Sequence, residues 1–225
     1  MKYRNFHLCV TCTLVFFCLG SVFEQRPRGS ARYDKAHLVR RILGKNLLLI
    51  QSRSIYFRHD YPMCVQSCLI GRRNHVYKRE IMYFNKRRKV QMIQGPKIER
   101  KAYMRVLRRE VDDRPILVVD AFMGRNETDP KVSGRYDIFF ATEVCFVMGT
   151  PVVDPSTVRY RADRRQAGDS ACLLWRIAGA AEQDRVPCRR AFEKYCRHYH
   201  GYKFVYRGDI CMTITHTEQS MCAIQ

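Results

Sequence analysis

Residues 171–206 decide the fold, and they read ACLLWRIAGAAEQDRVPCRRAFEKYCRHYHGYKFVY. Two β-like runs, Ala171–Ile177 and Tyr202–Tyr206, flank a short predicted helix. Pro187 suits the first turn of that helix, because its missing N–H would have no partner there. Gly201 suits the end of the helix, where a residue without a side chain is favoured. The stretch therefore predicts the order strand, helix, strand.

Cysteines mark one face of the predicted helix. Cys188, Phe192 and Cys196 recur at i, i+4 and i+8, which places two thiols and an aromatic ring on the same side. A short helix held by two disulfides to neighbouring strands can lie on the outside of a sheet or barrel. This arrangement predicts an extracellular binding fold rather than an intracellular enzyme.

The alternation of side chains along 171–177 predicts which of them face the interior. Arg176 should face water, so Cys172 and Leu174 share its outer face. The remaining large side chains then point inward: Leu173, Trp175 and Ile177. Trp175, the only tryptophan, would either fill the core or contact a ligand, since small barrels do one or the other.

Upstream of this stretch the chain predicts a helix followed by many short strands. Asp34 can cap a helix with an apolar stripe at Leu38, Ile42 and Leu43, and Gly44 can end it. The predicted strands are Leu47–Phe57, Cys64–Ile70, His75–Phe84, Val90–Ile93, Ala102–Leu107, Ile116–Phe122, Tyr136–Thr142 and Val144–Met148. Regular spacing and hairpin-like connections indicate an antiparallel barrel or sandwich. One helix before the strands and one after them fits a barrel.

The N-terminus predicts secretion. Lys2 and Arg4 precede an apolar run over residues 6–19, and Cys18-Leu-Gly20 offers the small residues that a signal peptidase reads. A membrane anchor is the alternative, but a spanning helix needs about 20 apolar residues. We expect a signal peptide over residues 1–20 and a single extracellular domain over residues 21–225.

The cysteine count supports an oxidising compartment. Of 11 cysteines, three lie in the predicted signal peptide, which leaves 11 − 3 = 8. An even number in a secreted chain predicts a disulfide framework, although eight cysteines allow about 105 pairings. A zinc site is disfavoured, because the mature region has no Cys-x-x-Cys pair and His198-x-His200 has no partners at finger spacing. We expect no metal and no cofactor.

The charge is strongly positive, at +20. Such a surface attracts polyanions, including heparan-type polysaccharides. The basic residues are mostly dispersed as pairs, and Lys86–Lys89 is the one dense run. They form either a solvated exterior or a polyanion site. No motif predicts specific nucleic-acid binding, and the absence of a Gly-x-Ser-x-Gly elbow, a His-Glu-x-x-His motif or a phosphate loop disfavours an enzyme.

Several motifs together resemble the tick salivary lipocalins, the histamine-binding-protein family. They are Cys145-Phe-Val, Cys172-Leu-Leu-Trp175, Val186-Pro-Cys188, Phe192, Cys196 and Cys211, preceded by Leu48–Tyr56, Asp60 and Cys64-Val. The resemblance covers residues 31–211 and is most specific in the C-terminal half. The Gly-x-Trp motif of other lipocalins is absent near the N-terminus.

The resemblance implies an eight-stranded lipocalin barrel that sequesters a small host inflammatory mediator in saliva and so counters host defence. It also implies a disulfide pairing: Cys64–Cys211, Cys145–Cys188 and Cys172–Cys196, which leaves Cys68–Cys222. The family ligand is histamine or another biogenic amine.

The chain departs from the family where amines are bound. Family members that bind amines carry an acid after the first motif cysteine and a Glu two residues before the tryptophan, and these positions are Phe146 and Leu173 here. The predicted interior is lined by Phe140, Phe146, Leu173 and Trp175, which favours an apolar or anionic lipid such as a leukotriene, held by an arginine at the mouth. Asp120 or Glu143 could still face inward and bind an amine.

A second hypothesis treats the barrel as a scaffold whose basic surface binds a protein or a polyanion. The two hypotheses differ in one observable: a hollow interior favours an internal ligand, and a filled interior favours the surface. In either case we expect a monomer.

One glycosylation sequon is present, Asn126-Glu-Thr128. It lies in the polar segment 124–134, between two predicted strands. We therefore expect Asn126 to be accessible and glycosylated in a secreted protein.

Overall fold

The computed structural model describes residues 34–85, 95–151, 170–211 and 222. Its helices are α1 Lys35–Leu43, α2 Glu182–Tyr195 and α3 Gly208–Cys211. Its strands are β1 Leu49–Tyr56, β2 Pro62–Arg73, β3 Val76–Asn85, β4 Lys97–Arg108, β5 Pro115–Phe122, β6 Gly134–Ala141, β7 Cys145–Gly149, β8 Ser170–Ile177 and β9 Tyr202–Val205. The predicted signal peptide, the predicted strand Val90–Ile93 and the basic run Lys86–Lys89 lie outside the described residues.

The strands β1 to β8 form a closed antiparallel barrel. Strands β2 to β8 pair in sequence order, and β1 closes the sheet by pairing with both β8 and β2. Its contact with β2 is short, Leu49 opposite Ser67 and Ile50 opposite Gln66, and β9 pairs with the rest of β1. Next-neighbour connections around eight strands are those of an up-and-down lipocalin barrel. The predicted fold class is therefore confirmed.

Helix α1 closes one end of the barrel. The Asp34 side chain accepts a hydrogen bond from the Ala36 amide at 3.1 Å, and Gly44 is the C-cap, as the sequence predicts. The apolar stripe packs into the same buried cluster as the inward side chains of the strands. Leu43 is fully buried there and forms part of the floor of the interior.

Helix α2 lies outside the barrel against β7 and β8. Cys188, Phe192 and Cys196 are buried in a second cluster together with Cys172 and Leu174. The inward residues of β8, Leu173 and Trp175, belong to the barrel core instead. The predicted alternation along this strand is confirmed.

The predicted bounds of α2 are wrong at both ends. The helix begins at Glu182 and contains Pro187 in its second turn. Glu182 and Asp184 lie in the first turn, where acidic side chains interact favourably with the helix dipole. The helix ends at Tyr195, and Gly201 instead begins the approach to β9. A Cβ at Gly201 would collide with the carbonyl oxygen of Tyr56, so glycine is required there for close backbone contact.

Four disulfides join Cys64 to Cys211, Cys68 to Cys222, Cys145 to Cys188 and Cys172 to Cys196. Three of these pairs are those that the family resemblance implies, and the fourth, Cys68–Cys222, is the pair that remained. Two of them fix α2 to β7 and β8, with Cα–Cα distances of 6.2 and 5.8 Å. Such a disulfide framework is typical of extracellular proteins.

Candidate functional site: the barrel interior

The interior of the barrel is an enclosed, mainly apolar pocket. Its floor includes Leu43 of α1, and its walls include Ile81, Met104 and Met148. The free volume is about 10 Å³, which is room for about one water molecule. The side chains therefore fill the barrel in this conformation, which is the outcome that the sequence hypothesis associates with surface binding.

Three of the four predicted lining residues border this pocket. Phe146 and Trp175 are opposite each other on β7 and β8, and Leu173 is the next inward residue of β8. Phe140 lies elsewhere and packs against the outer cluster beneath α2. The register of β6 against β7 shifts between Ile138 and Phe140, so simple alternation along β6 places Phe140 on the wrong face.

No carboxylate occurs among the described residues that line the pocket, and Lys131 is the charged side chain among them. The two acids that sequence analysis left open lie outside. Asp120 forms an ion pair with Arg105 at 2.8 Å, and Glu143 forms one with Arg41 at 2.7 Å. The charged side chain at the pocket is therefore Lys131. The prediction named no particular arginine for the mouth, and no arginine is among the described lining residues.

This loop, residues 123–133, is here called the mouth loop. The β4–β5 turn lies beside α1, where Arg108 pairs with Asp34 at 2.9 Å, so the loop after β5 is at the opposite, open end. Asp129 is buried and fastens it. Its carboxylate accepts hydrogen bonds from the Tyr83 hydroxyl and, at 2.7 Å, from Arg100 Nε. The fastened loop places Val132 against the barrel core and closes the pocket.

Lys131 joins the mouth loop to two other segments at the open end. Its ammonium donates to Asn85 Oδ1 at 2.7 Å and lies 3.4 Å from Asp60 Oδ2. Asp60 also accepts two hydrogen bonds from the Arg58 guanidinium. The Arg58 hydrogen bonds lower the pKa of the Asp60 carboxyl well below its usual range, and the Lys131 charge adds to this effect. Asp60 is therefore ionised throughout the physiological pH range.

A polar group also lies deep in the interior, on β1. Gln51 lines the pocket opposite Trp175 and donates a hydrogen bond to the Tyr56 hydroxyl. Burial raises the pKa of that hydroxyl, so Tyr56 is neutral. Sequence analysis missed Gln51, although its position two residues after Leu49 within a predicted strand would have placed both side chains on one face.

Cations lie on the outer side of α2 and just after its C-terminus. Arg190 and Lys194 on the helix and Arg197 two residues beyond its end are exposed. A groove of about 410 Å³ separates this region from β9 and is bordered by Arg197 and Lys203. Within the described residues, no helix is both long enough and apolar enough to cross a membrane.

Comparisons with known proteins give fold-level likeness only. No protein-family model matches the sequence, and no curated protein matches it. Among solved structures, Japanin from Rhipicephalus appendiculatus bound to cholesterol is 14% identical with a TM-score of 0.41, covering 72% of this chain and 92% of that one. Apocrustacyanin C2 is 11% identical with a TM-score of 0.39, covering 65% of this chain and 68% of that one. Similarities of this size do not identify a ligand.

Proposed function

We propose that this chain is an extracellular binding protein that holds a small, mainly apolar ligand inside its barrel. The ligand is neutral or anionic rather than an amine. The observation that supports this most is the composition of the described lining, which has apolar walls, no carboxylate and Lys131 at the mouth.

The charge of the lining distinguishes ligand classes. An ammonium group that leaves water without a paired carboxylate loses several kcal/mol of solvation free energy. Phe146 and Leu173 offer no compensation, and Lys131 would repel such a ligand. A carboxylate ligand, by contrast, gains an ion pair with Lys131 at the edge of the pocket.

Binding requires the interior to expand, because only about 10 Å³ is free. Met104 and Met148 are flexible thioethers that adopt new rotamers at low cost. The mouth loop is the other part that can move. The Asp129 carboxylate attaches it to the barrel through side-chain hydrogen bonds, which can break without unfolding a strand. We propose that a ligand enters when these bonds break and that it displaces the methionine side chains.

The finer form of the proposal follows the family resemblance. The protein would be secreted after cleavage of residues 1–20 and would sequester a lipid mediator such as a leukotriene, which reduces the host response to a feeding tick. The four disulfides support an extracellular location.

The test uses oleate, titrated against the mature protein and followed by the fluorescence of the single tryptophan. We expect saturable binding, with Lys131→Gln weakening it about ten-fold, because a hydrogen bond to a charged group contributes about 1.5–3 kcal/mol. Lys101→Gln on the outer face of β4 is the matched control and should bind oleate as the wild type does. Absence of oleate binding to the wild type would contradict the proposal.

The filled interior favours a second candidate, binding of a polyanion to the outer surface. The cationic row Arg190, Lys194 and Arg197 and the net charge of +20 support it. Heparin chromatography should then show that Arg190→Ser with Lys194→Ser elutes at clearly lower salt. The matched control is Arg41→Ser with Arg105→Ser, which removes the same charge elsewhere. Equal elution of the two double variants would indicate a non-specific charge effect and reject this candidate.

A further inference from the structure

Trp175 carries a hydrogen-bond donor that nothing in the described structure satisfies. The residue is 5% exposed, lines the pocket, and its indole Nε1 has no hydrogen-bond partner among the described residues. An indole N–H can only donate. A buried donor without an acceptor destabilises the fold, so such atoms usually have a functional or structural explanation.

The neighbours of this N–H do not bond to it. Its cross-strand neighbours are Phe146 on β7 and Gln51 on β1. Phe146 has no polar atom. Gln51 has an amide oxygen that could accept, but its amide nitrogen donates to Tyr56 and no hydrogen bond joins the side chain to the indole. The donor therefore remains unsatisfied beside a mainly apolar pocket, where a ligand would pass.

We propose that the Trp175 indole N–H binds an oxygen acceptor on the ligand, a neutral carbonyl or hydroxyl attached to an apolar body. This inference rests on the proposed function and specifies the ligand for the same pocket. A neutral oxygen is favoured at this depth because an ionised group would be desolvated, whereas the described cation, Lys131, lies at the mouth. An ammonium group cannot satisfy the indole, because it has no acceptor.

The test uses two probes of the same shape, 2-decanone and 2-methyl-1-decene, which differ in one group, C=O against C=CH2. Trp175 is the only tryptophan, so a ¹⁵N-labelled sample gives a single indole N–H resonance. We expect 2-decanone to move the indole proton downfield and to bind about two- to twelve-fold more tightly than the alkene, the range for one neutral hydrogen bond. Trp175→Phe should make the two affinities equal.

The possible results separate this inference from the proposed function. If both probes bind equally and the ketone leaves the indole resonance in place, the acceptor is wrong but interior binding stands. A buried water could already accept the indole hydrogen bond, and a water–indole nuclear Overhauser effect in the complex would show this. If that effect is seen and the ketone does not move the resonance, the inference is also overturned. If neither probe binds while oleate does, the inference alone fails; if oleate also fails to bind, interior binding fails with it. The wild-type resonance decides the matter even if Trp175→Phe does not fold.

Discussion

At the residue scale, the most unusual side chain is Arg79, a fully buried arginine on β3. Its guanidinium donates to the Ser67 hydroxyl and to the carbonyl oxygens of Ser67, Leu43, Lys45 and Leu47. All five of its N–H groups are thereby used. Burial lowers the pKa of the Arg79 guanidinium to about 9, which leaves it charged at neutral pH. The residue fastens the end of α1 and the start of β1 to the barrel.

Replacing Arg79 should destabilise the fold strongly. Arg79→Met leaves several buried carbonyl oxygens without donors, and we expect a loss of about 3–5 kcal/mol in the free energy of unfolding. Chemical denaturation measures this. Arg105→Met is the control, since its ion pair with Asp120 is exposed and should be worth less than about 1 kcal/mol. Equal effects of the two variants would contradict the role given to Arg79.

Asn126 should carry a glycan. The residue is exposed in the mouth loop, where its side chain is accessible to the glycosylation machinery. We expect protein from a eukaryotic host to lose mass after glycosidase treatment, and Asn126→Gln to lack the modification. An unchanged mass of the treated wild type would reject the prediction.

Individual side chains show where sequence reasoning succeeds and where it stops. Alternation along β8 predicts Leu173 and Trp175 correctly, because that strand is regular through both positions. It fails for Phe140, because a register shift in β6 cannot be read from residue types. Alternation along β3 places Arg79 on the inward face with Tyr77 and Ile81. Residue type alone would mislead there, since a charged residue within a strand is ordinarily expected to face water.

At the scale of elements, α2 has weak helix-forming signals of its own, and disulfides hold it against the barrel. It contains Pro187, which removes one backbone hydrogen bond, and its N-cap, Ala181, makes no side-chain bond. Its buried face is short, with Cys188, Ala191 and Phe192. The disulfides from Cys188 and Cys196 therefore account for much of its attachment.

Removing one of these bonds should loosen the helix without unfolding the barrel. Cys172→Ser with Cys196→Ser opens a loop with a sequence separation of 24, for which the entropic contribution is about 3 kcal/mol. We expect faster hydrogen exchange over residues 182–199 and little change in β2 to β5. Uniform loss of protection across the barrel would show that α2 is integral to the core instead.

The ion pairs of Asp60 at the open end of the barrel make the stability of the protein depend on pH. The pKa of Asp60 is lower in the folded protein than its unfolded value of about 3.9, mainly because of Arg58. Because the folded pKa is the lower one, the contribution of Asp60 to stability is complete above the unfolded pKa. It is lost as the pH falls from the unfolded pKa towards the folded pKa. The stability difference between wild type and Asp60→Asn should be constant from about pH 5 to 7 and should shrink below about pH 4. A difference that is the same at pH 3 and pH 7 would contradict this.

The helix bounds illustrate what local patterns can predict. Asp34 and Gly44 delimit α1 because the capping hydrogen bonds at both ends are made to residues close by in sequence. Pro187 and Gly201 mislead at α2, because neither of them lies at an end of that helix. Glu182 and Asp184 were the better signal for its start, and Gly201 is required by its contact with Tyr56 rather than by the helix.

At the scale of the whole molecule, strand spacing and turn residues predict an antiparallel barrel or sandwich. The family resemblance, not the spacing, implies the eight-stranded up-and-down barrel. The degree to which side chains fill that barrel cannot be read from the sequence. Whether side chains occupy the interior depends on how Met104, Met148 and the mouth loop pack together. The proposed function therefore requires an interior that expands for a ligand of suitable chemistry.

The central claim is that the described lining of the interior carries no negative charge. Introducing a negative charge there should reverse the ligand preference. Leu173 stands at the position where the resemblance to the histamine-binding family predicts a Glu in amine binders. Leu173→Glu places a carboxylate in the pocket beside Trp175, so it should create affinity for histamine and reduce affinity for fatty acids.

Isothermal titration calorimetry of the wild-type protein with histamine, serotonin and a leukotriene tests the claim most directly. The account predicts measurable, saturable binding of the leukotriene and no binding of either amine at micromolar concentrations, because no described lining residue offers a carboxylate. Sub-micromolar binding of histamine would contradict it.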